Sequence, residues 1–282
     1  MQTVTPPHLF LAAVLLLLLS TGPALAITQS GTPAQQPHSG PPAADATVVL
    51  QAIEALDARI AQSPESAPLF LERGDLYLSL GRNEQAVVDY TRALELDDAL
   101  DQAYYQRGVA LGRAGDHEGA IGDLTVYIER HPDSSMAYTK RGVRHLWNGD
   151  EDSAYSDYRN ALRLDNDNAE AADDIGVIYA QRGEYLKALA SFSHALKIDP
   201  TYRKAYHNRA LVLYVLQKYD DALRDVAQAE RIDPLDRNTL LLKSAILDAL
   251  GETDKANDAV KRANELPDTR ASETYRLPGS GR

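Results

Sequence analysis

The sequence predicts an all-α fold built from consecutive helix pairs, and three observations carry that prediction. First, glycines return every 34 residues: Gly74, Gly108, Gly142 and Gly176 form one series, continued by Ala210, and Gly81, Gly115, Gly149 and Gly183 form another. Second, alanine holds one place in the same register at Ala86, Ala120, Ala154, Ala188, Ala222 and Ala256. Third, the punctuation cuts the chain into helix-length pieces. From Ala169 to Tyr202 one helix is expected up to Gln181, where Gly183 takes the positive φ that closes it. A second runs from Tyr185 to Ile198, where Asp199-Pro200 stops it. Helices this short are marginal alone in water, so each must cover an apolar stripe with a neighbour, and repetition supplies the neighbours.

Taken in order, residues 1–26 read as an export signal. Leu9 to Leu19 is an apolar run, Ser20-Thr21-Gly22-Pro23 breaks it, and Ala24-Leu25-Ala26 has the pattern of a cleavage site, although no Lys or Arg precedes the run. The run is short of the ~20 residues a spanning helix needs, so a cleaved periplasmic or secreted chain is expected, with an N-terminal membrane anchor as the alternative. Residues 27–46 are rich in Pro, Gly, Ser and Gln and are expected to form a flexible tether. Over 47–66, Val49, Ile53, Leu56 and Ile60 make one apolar stripe on a lone helix, in phase with the second helix of a pair. Its expected role is to cap the open end of the stack. Six repeats follow without insertion, at 67–100, 101–134, 135–168, 169–202, 203–236 and 237–270. The final helix is polar except for Ala256, Ala259, Val260, Ala263 and Leu266, and residues 271–282 are expected to be disordered.

Composition narrows the function. A net charge of −12 disfavours non-specific attraction to nucleic acid or anionic lipid. The absence of cysteine removes disulfides, thiolate chemistry and Cys-ligated zinc. The histidines, at 8, 38, 117, 131, 145, 194 and 207, are scattered, and no H-E-x-x-H, G-x-S-x-G or glycine-rich phosphate loop occurs. Asp165-Asn166-Asp167-Asn168 lacks the Gly and distant Glu of a calcium loop. Asp150-Glu151-Asp152 is explained by capping of a helix start. No catalytic residue, metal or cofactor is expected.

Within each repeat the eighth-place glycine is expected to face the twentieth-place alanine. Aromatic residues at the fourth, eleventh and twenty-fourth places fill the core: Phe70, Tyr104, Tyr138 and Tyr206; Tyr77 and Tyr179; Tyr90, Tyr158 and Phe192. A less routine pattern pairs the seventh place with the twenty-third. Arg73, Arg107, Arg141 and Arg209 go with Asp89, Asp123, Asp157 and Asp225, whereas the fourth repeat has Ile175 with Ser191 and the sixth Lys243 with Ala259. Arginine and aspartate come and go together, which predicts an ion pair joining the two helices of each such repeat.

A 34-residue helix-turn-helix repeat with these small and aromatic places resembles the tetratricopeptide family across residues 67–270. The resemblance implies a right-handed α-solenoid of six helix hairpins whose first helices line a concave groove. By that resemblance the groove receives Tyr105, Arg113, Lys140, Trp147, Asp173, Asp174, Gln181, Lys204, His207, Asn208 and Tyr214. Packing does not require Tyr105, Trp147 or Tyr214, and aromatic residues beside charges are typical contact residues, so a peptide or protein segment is the expected ligand. The clamp by which some relatives hold acidic chaperone tails is not matched: Leu71, Asp75, Gln106, Met136 and Lys140 occupy its places. The reading is an exported binding adaptor with protein or peptide partners. The alternative is a fixed, non-catalytic subunit of an envelope enzyme or secretion complex. Leu240, Leu241, Leu242, Ile246 and Leu247 exceed a single buried stripe, which predicts self-association through the last repeat.

Overall fold

The computed structural model describes residues 43–266. The expected signal at 1–26, most of the tether and the 271–282 tail lie outside the described residues. Those described form thirteen α-helices and no strand: α1 (Ala43–Gln62), α2 (Ala67–Ser79), α3 (Asn83–Leu96), α4 (Asp101–Ala114), α5 (His117–Arg130), α6 (Ser135–Trp147), α7 (Glu151–Leu164), α8 (Ala169–Gln181), α9 (Tyr185–Ile198), α10 (Arg203–Val215), α11 (Tyr219–Ile232), α12 (Arg237–Ala249) and α13 (Thr253–Glu265). They divide into two compact blocks, residues 43–200 and 201–266. No helix among the described residues is long and apolar enough to cross a membrane.

In the first block each first helix (α2, α4, α6, α8) packs on its own second helix (α3, α5, α7, α9), and each second helix packs on the next first helix. The lone α1 packs on α2 through buried Ile53 and Leu56. It begins at Ala43, inside the stretch expected to be tether. The physical reason is local: the alanines at 43, 44 and 46 favour helix. In the second block α10 packs on α11, α11 on α12, and α12 on α13.

Glycine closes five of the intra-pair turns. Gly81, Gly115, Gly149, Gly183 and Gly251 take φ between 71° and 93°, the left-handed region where a Cβ is costly. In the fifth repeat Gln217 makes the same turn at φ 60°. Several helix starts are capped by side chains: Asp116, Ser134, Asp150, Asn168 and Asp236 each accept from the backbone N–H three residues on. Asp150 and Asn168 thereby account for the two acidic runs noted in the sequence.

At Gly108 the expected approach to the twentieth-place alanine is present, an added Cβ standing 3.2 Å from the Ala120 carbonyl oxygen, and the eighth-place glycines have a larger neighbour besides. They lie under the twenty-fourth-place side chain. A Cβ on Gly74, Gly142 or Gly176 would stand 2.7, 2.8 or 2.5 Å from the ring of Tyr90, Tyr158 or Phe192, and one on Gly108 would stand 2.9 Å from Leu124 Cγ. The long side chain reaches across the gap between the helices and lies on the bare backbone, which a methyl-sized alanine cannot do. The twentieth-place alanines from Ala86 to Ala222 are nonetheless fully buried.

The paired charges form rungs. Arg107 donates from Nε and Nη2 to both oxygens of Asp123 at 2.7 and 2.8 Å; Arg73 grips Asp89 at 2.8 and 2.6 Å, Arg141 grips Asp157 at 2.8 and 2.7 Å, and Arg209 grips Asp225 at 2.7 and 2.7 Å. In the first block the remaining Nη1 reaches back to the preceding second helix, to Asp57 (2.6 Å), Thr91 (3.2 Å) and Thr125 (3.1 Å). Each guanidinium also lies over the fourth-place ring, with Arg73 on Phe70, Arg107 on Tyr104, Arg141 on Tyr138 and Arg209 on Tyr206 at 5.6–5.9 Å. The fourth-place aromatics are therefore platforms for arginine as well as core fillers. The fourth repeat lacks platform, cation and anion together, with Ala172, Ile175 and Ser191. In the sixth, Lys243 turns instead to Glu230 (2.6 Å), which Arg262 also holds (2.8 Å).

The apolar surplus of α12 is absorbed within the chain. Leu240, Leu242, Ile246 and Leu247 are buried and only Leu241 is half-covered, so the premise for self-association through this repeat falls away.

Candidate functional site

The residues assigned to the groove separate into two groups. In the first block Tyr105, Arg113 and Lys140 are half-buried, Trp147 is 39% exposed and Gln181 is exposed. Asp173 and Asp174, by contrast, are fully buried (0% exposed). They sit in α8, whose Ala171, Ala172, Ile175, Gly176, Val177, Ile178 and Ala180 are buried as well. A helix apolar nearly all round is covered nearly all round, so places five and six cannot serve here as open contact residues. The same holds within the second block for Lys204, His207 and Asn208, buried in α10 with Leu211, Val212 and Leu213. His207 has its ring beside Thr239 (Nδ1–Oγ1 3.4 Å), and burial pulls its pKa down to about 4. Tyr214 is half-buried against Tyr219, at 5.7 Å between centroids.

Four of the assigned residues do come together, on α4 and α6. Trp147 stacks on His117 (5.5 Å, 22°), and the charge of Arg144 is felt at His117, whose pKa is lowered first by burial and then by that cation. The charge of Arg113 is felt in turn at Arg144 and at Tyr105. Tyr105 packs on Tyr127 at 5.1 Å, and burial pushes its hydroxyl up to about 12, aided by the charge of Glu170. Glu170 accepts from Lys140 Nζ on both oxygens, at 3.0 and 2.9 Å.

Three further residues belong to this locus. Arg144 is buried, lies across Gly112, where a Cβ would meet its Cδ at 2.6 Å, and donates from Nη1 to the Gly112 carbonyl at 2.7 Å. Burial pulls its pKa down to about 10. Gly112, a twelfth-place glycine outside the 34-residue series, is the sequence signal for that close approach. The other two are Asp75 and Tyr90: the Tyr90 hydroxyl donates to Asp75 Oδ1 at 2.7 Å, and Gln106 also bonds Asp75. Burial raises the pKa of Asp75 against the pull of these two donors. The locus thus presents aromatic faces, a satisfied Lys140–Glu170 pair and two guanidiniums.

Residues 74–115 and 176–217 match the family model described as TPR repeat, and residues 102–134 match the one described as tetratricopeptide repeat. Residues 74–134 and 176–217 therefore carry tetratricopeptide repeats. The 102–134 tetratricopeptide match spans α4 and α5, which hold Tyr105, Arg113 and Tyr127. Among solved structures, a tetratricopeptide repeat protein from Parabacteroides merdae ATCC 43184 is similar over 79% of this chain and 88% of its own, at 20% identity and a TM-score of 0.66. YrrB, described as a TPR protein with an unusual peptide-binding site, is similar over 67% of this chain and 97% of its own, at 22% identity and a TM-score of 0.50. Both likenesses are of fold. A curated relative, the Protein SGT1 homolog of Oryza sativa subsp. japonica, is 37% identical over 65 residues; the match covers 23% of this chain and 16% of the relative.

Proposed function

We propose that this chain is an exported, non-catalytic interaction adaptor whose first-helix face in residues 67–200 binds a peptide or protein segment. The observation that carries the reading is the locus on α4 and α6. Tyr105, Arg113 and Trp147 are drawn into one patch that the packing of the repeats does not require, and Trp147 keeps 39% of its surface open. A large aromatic residue at a rim beside charged groups is the composition of a binding hot spot rather than of solvated surface. The tetratricopeptide fold favours the same reading, since its paired helices present side chains from successive repeats on one face. YrrB, a protein of similar fold described as having a peptide-binding site, agrees with it in kind.

A photo-crosslinking residue at position 147 tests this in cells of the native source. It should yield discrete protein adducts, while the same residue at Val88, 68% exposed on α3, should yield none. Equal labelling from both positions rejects the first-helix face as the site. Export belongs to the same reading and predicts that the mature protein starts at Ile27; an amino terminus at residue 1 on protein recovered from the cytoplasm would reject it.

A further inference from the structure

We propose that a cleft between α11, α12 and α13 is a second docking site, and that it takes an aromatic side chain from a segment of a partner protein. The site is separate from the first-helix face of residues 67–200, since every residue lining the cleft lies in the second block.

The cleft holds about 530 Å³, and its apolar floor is Leu223 and Ala227 of α11, Leu247 of α12 and Ala259 of α13. The repeat explains why space is left there. In the first three repeats the seventh-place arginine grips the twenty-third-place aspartate and reaches the twenty-fifth place of the unit before it, so a guanidinium spans the gap between two successive second helices. The sixth repeat has lost all three parts. Lys243 replaces the arginine and is drawn aside to Glu230, and alanines stand at 259 and 227 in place of the aspartate and the outer partner.

The fourth repeat has also lost its arginine and aspartate, with Ile175 and Ser191, and it shows what else fits such a gap. There Tyr155, at the twenty-first place of the preceding repeat, and Tyr179, at the eleventh place, meet edge to face at 5.8 Å and share a hydroxyl hydrogen bond of 2.8 Å. Lys187 lies over the Tyr179 ring at 5.2 Å and pairs with Glu184. In the sixth repeat the two tyrosine places hold Leu223 and Leu247, so two rings are missing, while the charged frame is kept. Lys255 and Glu252 stand at the places of Lys187 and Glu184 and pair in the same way. Acidic and basic side chains line the cleft in equal number, so charge selects no ionic ligand. A floor of leucine and alanine leaves the donors of a guanidinium unanswered. An aromatic ring would bury its faces on the two leucines and present an edge of its π-system to Lys255, as Tyr179 does to Lys187.

The probe is N-acetyl-phenylalanine amide, titrated onto the isotope-labelled full chain, with the N-acetyl-leucine and N-acetyl-lysine amides as controls. The aromatic probe should move the amide resonances of Leu223, Leu247 and Ala259 and bind about fivefold tighter than either control. Lys255→Gln, at an exposed side chain, should weaken it about threefold. Ala227→Leu, also at an exposed position, narrows the cleft and should abolish the shifts while leaving the melting temperature unchanged. The double variant Leu223→Tyr, Leu247→Tyr supplies the filling of the fourth repeat and should abolish them too. In cells of the native source, a photo-crosslinking residue at Ala227 should join to protein segments that carry Phe, Tyr or Trp at the point of attachment. Equal binding of the three probes, shifts that survive Ala227→Leu, or adducts that are absent or lack an aromatic residue would overturn the proposal. So would probe binding that is seen only after Tyr275→Ala, which would make the chain's own Tyr275 the occupant. None of these outcomes bears on crosslinking at position 147, so the first-helix reading stands or falls separately.

Discussion

An aspartate buried beneath the surface and gripped on both oxygens by a guanidinium is costly to orphan. Asp123 is such a residue, and Arg107 its partner. Removing either side chain leaves the other charge, or its burial, uncompensated, so Arg107→Ala and Asp123→Ala are each expected to cost about 3 kcal/mol. The double variant should cost clearly less than the sum of the two. Denaturant midpoints of the four proteins give the coupling; a value within about 0.5 kcal/mol of zero would mean two independently solvated charges. The pairing of Arg with Asp was legible in the sequence because both vanish together in the fourth repeat. The third partner was not: Thr91 and Thr125 sit at the twenty-fifth place of the preceding repeat, and a hydroxyl there is unremarkable until the guanidinium is seen to reach it.

At the scale of the helix pair, two glycines of adjacent repeats make opposite predictions. Gly142 lies in α6 under Tyr158, and a Cβ would stand 2.8 Å from the ring, so Gly142→Ala forces the pair apart and is expected to cost about 1–3 kcal/mol. Gly122 lies in the interior of α5, where an added methyl would meet nothing within 4 Å, so Gly122→Ala should stabilise by about 0.5–1 kcal/mol through helix propensity alone. Thermal melts of the two variants should move in opposite directions, and a shared sign would refute this account of the helix contact. The 34-residue spacing made the helix pairs and their turns legible, because glycine, proline and alanine act locally. It did not show what lies over a helix. Places five and six of α8 belong to the expected binding face, yet Asp173 and Asp174 are fully buried. Register says which way a side chain points along its own helix, not what covers that face.

For the molecule as a whole, the buried histidines predict loss of stability in mild acid. His207 is neutral in the folded state, with a pKa near 4 against 6.5 for the free side chain, and His117 and His145 are lowered too, chiefly by burial. Between pH 6.5 and 4 the unfolded chain binds a proton at His207 that the folded chain does not. Stability is therefore complete above about pH 6.5 and declines as pH falls, by up to about 1.4 kcal/mol per pH unit from this residue. Urea midpoints measured from pH 7 to pH 4.5 should fall in the native protein and fall less steeply in His207→Gln; parallel curves would remove His207 as the cause.

The arginine rungs have a direction. Arg73, Arg107 and Arg141 each reach their own second helix and the one before it, and Asp57 on α1 occupies the place that Thr91 and Thr125 fill farther along. A polypeptide that emerges amino end first, from a ribosome or through a translocation channel, would thus offer every new hairpin a docking partner made moments earlier. Assembly can proceed as vectorial zippering, with α1 as its primer, and no hairpin of the first three need wait for chain still to come.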